Sequence, residues 1–225
     1  MKKLKNLACP LLLVLFLLTG CNTVESNRID SEMEDQKEAL ASSFQNGDLI
    51  FQTSNSSQSK AIQLATHSPY SHVGIVYEQK GNFWVYEAVE PVKLTPIKDW
   101  IKRGKKGHYV VKRLKNAATI LSPAILKKMK IAGEKYMGKH YDLYFEWSND
   151  KIYCSELVWK IYKEAAGIEL CKLQRLESFD LSNPSVQKKL EQRYKGKIPL
   201  DEKVISPADL FESNQLIKVD ISLKN

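Results

Sequence analysis

Apolar residues along the chain fall into short blocks of two kinds. Asp48-Leu49-Ile50-Phe51-Gln52, His72 to Tyr77, Phe83 to Val89 and His108 to Leu114 are rich in β-branched and aromatic residues, the signature of strands. Gln79-Lys80-Gly81-Asn82 joins the second and third runs as a hairpin signal. With Lys80-Gly81 as a two-residue turn, Gln79 pairs with Asn82 and Gly74 lies opposite Glu87. His72 and Glu87 then project from one face as diagonal neighbours, within reach for long side chains. A turn one residue different in length would send Glu87 to the other face.

The remaining blocks carry helix punctuation. Ser57 to Thr66 has Ala61, Ile62, Leu64 and Ala65 at helical spacing. Thr95-Pro96 opens a short helix that Gly104 closes, Ser122-Pro123 opens a longer one to about Met137, and Asn183-Pro184 opens another to about Tyr194. Tyr153 to Ala166 is an amphipathic helix stopped by Gly167. Gln215 to Leu223 alternates imperfectly and predicts a last strand. Strands and helices mix without regular βαβ alternation, so the expected fold class is α+β.

The first residues follow a different logic. Lys2, Lys3 and Lys5 form a basic start, Leu7 to Leu18 an apolar stretch, and Leu18-Thr19-Gly20-Cys21 follows at once. The uninterrupted run Leu11 to Leu18 is too short to span a bilayer, which takes ~20 residues. An export signal explains it. The closing Cys makes the segment resemble a bacterial lipoprotein signal, which implies cleavage before Cys21 and lipidation of its thiol. The alternative is an ordinary secretory signal with a bystander Cys. The expected organisation is a signal peptide over 1–20, a lipid anchor, tether and short helix over 21–45, and a globular domain over 46–225. Within the middle segment, Asp30 to Phe44 reads as a helix, with Ser31 and Glu34 spaced as a capping box.

Composition narrows the class. Hydrophobic residues are 43% and charged residues 27% of 225 residues, ordinary globular usage, which excludes a disordered chain or a multi-pass membrane protein. Loss of Lys2, Lys3 and Lys5 from a net charge of +8 leaves +5. No tract combines dense Lys/Arg with aromatics. Lys102, Arg103, Lys105 and Lys106 come closest and read as a solvated turn. No nucleic-acid partner is expected. His67, His108 and His140 show no metal-ligand spacing, and no glycine-rich phosphate loop is present, so no metal or cofactor is expected.

Candidate chemistry centres on Cys154, at the first turn of the Tyr153–Ala166 helix. A thiol there meets the positive end of the helix dipole and unpaired N–H groups, which favour the thiolate. The same N–H groups suit an oxyanion. Glu87 lies in an otherwise apolar strand, where a carboxylate calls for a partner. A carboxylate on one nitrogen of His72 would fix the tautomer and leave the other nitrogen for the thiol proton. Asp48 lines a cleft or caps a turn, and Tyr70 and Tyr141 offer hydroxyls to substrate or oxyanion. A Cys154–Cys171 disulfide is the competing structural reading, in an export compartment that permits one.

Gly47-Asp48-Leu49-Ile50-Phe51-Gln52, Tyr70-Ser71-His72-Val73-Gly74, Tyr86-Glu87-Ala88-Val89, Gly138-Lys139-His140-Tyr141-Asp142 and Tyr153-Cys154-Ser155-Glu156-Leu157-Val158 together resemble the YiiX-type lipoproteins. These are a circularly permuted branch of the NlpC-type papain-like cysteine peptidases and amidases, in which the His precedes the Cys. The resemblance runs over essentially the whole mature domain. It implies an antiparallel sheet or small barrel packed against the Cys helix, with Cys154 as nucleophile, His72 as base and Glu87 as orienting residue. The expected function is an envelope thiol amidase or peptidase acting on cell-wall or other small peptides. The alternatives are a lipid acyltransferase or thioesterase, since the fold relates to acyltransferases of the lecithin–retinol type, and a non-catalytic binding lipoprotein. The expected place is the bacterial envelope, anchored through Cys21, on the outer membrane where the organism has one, since Asn22 replaces the Asp of many retained lipoproteins.

Overall fold

The computed structural model describes residues 43–221. In chain order the elements are β1 (Leu49–Gln52), α1 (Ser57–Thr66), β2 (His72–Gln79), β3 (Asn82–Glu87), β4 (Lys93–Pro96), α2 (Ile97–Arg103), β5 (Tyr109–Leu114), α3 (Ala117–Ile120), α4 (Pro123–Glu134), α5 (Cys154–Ala166), β6 (Gln174–Arg175), α6 (Pro184–Tyr194), β7 (Lys203–Val204), α7 (Pro207–Phe211) and β8 (Leu216–Val219). Six strands form one antiparallel sheet in the order β4-β3-β2-β1-β5-β8, and β6 pairs with β7 in a separate ribbon. The α+β expectation holds, and of the two architectures expected the sheet is the open one.

Both faces of the sheet are covered, which is why β1 is buried along its whole length. Leu49, Phe51, Val73, Ile75 and Tyr86 face α4 and α5 and share a core with Met129, Leu157, Val158, Ile161 and Tyr162. Ile50, Val76, Val85 and Val111 face the other way, onto Ile97 and Trp100 of α2. A third cluster joins Val186 and Leu190 of α6 to Leu176, Val204 and the Ala61, Leu64 and Ala65 side of α1.

The β2–β3 hairpin takes the expected register. Gln79 pairs with Asn82 and Ile75 with Tyr86. Lys80 and Gly81 both have positive φ, 53° and 77°, the two-residue turn whose twist suits a hairpin. One step beyond Ile75, a Cβ on Gly74 would come within 2.4 Å of Val85 and 2.9 Å of the Tyr86 carbonyl. Only glycine lets β3 close here.

Several boundaries move. The helix opened by Ser122-Pro123 stops at Glu134, and the last strand spans only Leu216–Val219. β4 was not expected: Thr95 and Pro96 end a strand before α2 begins. The signal peptide, Cys21 and almost all of the helix expected over Asp30 to Phe44 lie outside the described residues. Phe44 itself is not helical. It is buried with Ile50 and Trp100, its ring 5.5 Å from that of Phe83, so it belongs to the globular part rather than to a tether. Among the described residues no helix is long and apolar enough to cross a membrane.

Candidate active site

The site forms where β2 begins and α5 begins. Glu156, in the first turn of α5, accepts the Tyr153 N–H at 3.3 Å and pairs with Lys160 one turn on, at 2.6 Å. Gly167 ends the helix in the left-handed conformation, its N–H on the Lys163 carbonyl. Leu157, Val158, Ile161 and Tyr162 are fully buried against the sheet. This packing fixes Cys154 at the helix N-terminus, where the N–H groups of Ser155 and of Val73 on β2 favour its charged form.

His72 opens β2, and its ring stacks on Trp100 of α2 with centroids 5.8 Å apart. Its Nε2 lies 2.6 Å from Glu87 Oε2, which leaves Nδ1 for its hydrogen bond with the Cys154 thiol. Glu87 is fully buried. Its second oxygen accepts from the Thr95 hydroxyl at 2.6 Å and from Arg103. The diagonal read from the hairpin register is therefore the one that forms.

Electrostatics at these three groups run in one direction. Burial pushes the Glu87 carboxyl up, but the His72 hydrogen bond and charge, with Thr95 and Arg103, outweigh it and hold the group down at about 2. Burial pushes the His72 imidazolium down, but hydrogen bonds and negative charge from Cys154 and Glu87 raise it to about 9. Burial likewise raises the Cys154 thiol, and the His72 hydrogen bond and charge with the two N–H groups bring it below its ordinary value. The arrangement thus favours a thiolate beside an imidazolium. Cys171 is the contrast. Both cysteines are free, so the disulfide does not form, and burial pushes the Cys171 thiol up to about 12.

Of the remaining sequence candidates, Tyr141 is at the site. It walls the same cleft as Cys154, and its hydroxyl accepts from Gln58 Nε2 at 3.0 Å. Asp48 and Tyr70 are not brought there. Asp48 sits at the far end of β1 from the Gln52–His72 pair, ~13 Å away at strand rise. It is bound by Arg113 Nε and Nη2 at 2.7 and 2.8 Å and accepts the Gln45 N–H at 2.8 Å, closing the turn before β1. The Tyr70 ring stacks on Phe211 at 4.1 Å and meets Phe51 edge-on, as packing rather than a cleft wall.

Four residues escape the sequence reading: Thr95, Arg103, Gln58 and Arg193. The sequence places Arg103 with Lys102, Lys105 and Lys106 in a solvated turn. The signal that would have found it is helical spacing, since Arg103 lies three residues after the fully buried Trp100 and so shares its face.

Two clefts meet at the site. One is walled by Cys154 and Ser155 with Ile62, Ala65, Leu176, Val186 and Leu190, and is apolar. The other is walled by His72 with Gln52, Ser54, Ser56, Ser71 and Arg103, and carries more polar side chains, beside Ala88, Val89 and Leu143. Gln58, Ile62 and Tyr141 border both.

Residues 43–220 match the family described as permuted papain-like amidase enzyme, YaeF/YiiX, C92 family. The uncharacterized protein YiiX of Escherichia coli (strain K12) is 50% identical over 181 residues, covering 80% of this chain and 88% of that protein. A crystal structure described as that of the metalloprotein YiiX from Escherichia coli O157:H7 is 51% identical, with a TM-score of 0.74, covering 78% of this chain and 96% of that one.

Proposed function

The chain belongs to the permuted papain-like amidase family, whose activity is of the hydrolase type, and from that premise we propose that it is a thiol amidase with Cys154 as nucleophile, His72 as base and Glu87 as the carboxylate that orients the ring. The observation that carries the reading is the single imidazole held between a buried carboxylate and a thiol. The Cys154 thiolate attacks the amide carbonyl, forming a C–S bond. The oxyanion is met by N–H groups at the start of α5 and by the Tyr141 hydroxyl. Collapse breaks the C–N bond while His72 gives its proton to the leaving amine. His72 then takes a proton from water, which attacks the thioester, releases the acid and restores the thiol.

Among the described residues no three His, Cys, Asp or Glu side chains form a group able to hold a metal ion. Glu87 already serves His72, Thr95 and Arg103, so the donor set does not suit a cation.

We take the substrate to be an amide of a cell-wall or other small envelope peptide, met by a protein lipidated at Cys21 on the outer membrane. A second reading is favoured by the apolar cleft beside Cys154. There the acyl donor is a lipid and the chemistry is thioester cleavage or acyl transfer. One experiment separates them: wall peptides and phospholipids are each offered to the protein, and Cys154 is examined by mass for the acyl adduct. A peptidyl adduct supports the first reading and a fatty-acyl adduct the second. No adduct, with Cys154 alkylated by iodoacetamide no faster than Cys171, would leave only a binding role. Labelling with a palmitate analogue, lost in Cys21→Ser, tests the anchor.

A further inference from the structure

Resting on the amidase reading, we propose that Gln58 and Arg193 are positioning residues for Tyr141: together they fix the direction of its one hydroxyl proton, toward the reacting centre. Arg193, near the end of α6, places Nη2 2.9 Å from Gln58 Oε1. A guanidinium only donates, so this contact decides which end of the Gln58 amide is oxygen. The amide nitrogen then faces Tyr141, where Nε2 donates to the hydroxyl oxygen at 3.0 Å. With an oxygen lone pair taken by that donor, the Tyr141 proton points away from Gln58, into the cleft that Tyr141 and Cys154 wall together. The chain of donors therefore runs one way, from Arg193 through Gln58 and Tyr141 toward the sulfur, and to an oxyanion formed beside it.

The elements around the chain hold it in place. Arg193 lies over the Phe145 ring, 5.0 Å from its centroid. Gln58 is set by the first turn of α1, capped by Ser56, whose hydroxyl accepts the Ser59 N–H at 3.0 Å. Burial raises the Tyr141 hydroxyl well above its ordinary value, so it keeps its proton and remains a donor through neutral pH. The three residues come from α1, α6 and the loop before α5. None of the spacing between them is local.

The decisive variant is Gln58→Glu, nearly the same shape but able only to accept. It still accepts a hydrogen bond from Arg193, but it now also accepts one from the Tyr141 hydroxyl, turning that O–H away from the sulfur. The expected result is a ~10²–10³-fold fall in kcat with KM little changed, matching Tyr141→Phe, as for removal of one oxyanion donor. Gln58→Met, which loses both bonds but leaves Tyr141 free to turn, is expected to cost less than Gln58→Glu. A packing role predicts the opposite order. In the Tyr141→Phe background Gln58→Glu should add little, whereas a plain charge effect would persist there. Arg193→Met should lower kcat and Arg193→Lys restore part of it.

A readout without amide substrate separates this inference from the amidase reading. The pH dependence of Cys154 alkylation by iodoacetamide should move up by about one unit in Gln58→Glu, and by much less when Tyr141 is already Phe. Superimposable profiles for wild type and Gln58→Glu, or equal shifts in both backgrounds, would overturn the relay. If no amide is cleaved by the parent protein, the amidase reading fails, and the alkylation profiles still decide this one.

Discussion

At one end of β1 a buried carboxylate, Asp48, meets Arg113; beyond the other end a second, Glu87, meets Arg103. Both acids face the interior and both arginines come from a neighbouring element. At the Asp48 end the bonds run within the scaffold: Arg113 bonds both carboxylate oxygens and the Ser43 carbonyl, and Tyr162 bonds the Gly47 carbonyl. At the Glu87 end one oxygen is given to His72, whose far nitrogen reaches a thiol on a cleft wall. Burial dominates at Asp48, whose carboxyl is raised despite Arg113, while at Glu87 the imidazole, Thr95 and Arg103 outweigh it. The difference teaches that a buried carboxylate–arginine pair is not in itself a sign of chemistry. What matters is whether an ionisable group carries its charge outward to a cavity.

The largest expected effect sets the two ends apart. His72→Ala should lower kcat/KM by ~10³–10⁴-fold, as loss of a general base does, and should slow alkylation of Cys154. Asp48→Asn, measured per folded molecule, should stay within about threefold of wild type, since distant sites couple weakly. A large fall in kcat at Asp48, with the fold intact by circular dichroism, would erase the contrast.

Stability should show the reverse. Asp48→Ala leaves Arg113, 11% exposed in its side chain, without its carboxylate. A buried charge stripped of its partner costs ~3–5 kcal/mol, which a urea titration would read as a lowered midpoint with an unchanged slope.

The reach of sequence reasoning differs between these same two ends. The His72–Glu87 diagonal was legible because a hairpin register depends only on a two-residue turn and alternation, both local. The placement of Cys154 was legible for the same reason, since caps and a buried stripe define one helix. Asp48 and Tyr70 were misplaced because a strand motif does not say which end of the strand the cleft adjoins. Arg103, Thr95, Gln58 and Arg193 were missed because their roles exist only once α1, α2 and α6 have packed. Sequence periodicity gives the buried face of each helix, but not what a polar residue on that face will meet.

A pH profile sharpens the comparison with a smaller effect. The folded pKa of His72, about 9, lies above the ordinary 6.5. Its contribution to stability is therefore present below 6.5 and lost as pH rises through about 9. For Glu87, lowered from 4.5 to about 2, the contribution is present above 4.5 and lost as pH falls through about 2. The basic limb of kcat/KM should fall near pH 9 in wild type. In Glu87→Gln it should move toward 6.5, because the negative charge that held the imidazolium is gone. A basic limb unmoved by Glu87→Gln would mean that the carboxylate does not govern the ring.

The smallest effect belongs to Tyr70, and its smallness is the point. Its ring stacks on Phe211 with planes 29° apart, and its nearest chain neighbour at the site is His72, two residues on. If closeness in sequence sufficed for function, Tyr70→Phe would match Tyr141→Phe. The geometry gives the two hydroxyls different surroundings: Tyr141 walls the cleft beside Cys154, and Tyr70 packs at the foot of α7. Tyr70→Phe keeps the stacked ring and should leave kcat within about twofold. Tyr70→Ala removes it and should cost about 1 kcal/mol of stability, the size of an aromatic pair, again with kcat per folded molecule unchanged. A Tyr70→Phe protein slowed as much as Tyr141→Phe would place both hydroxyls on the reacting carbonyl and require Tyr70 to turn from Phe211 when substrate binds.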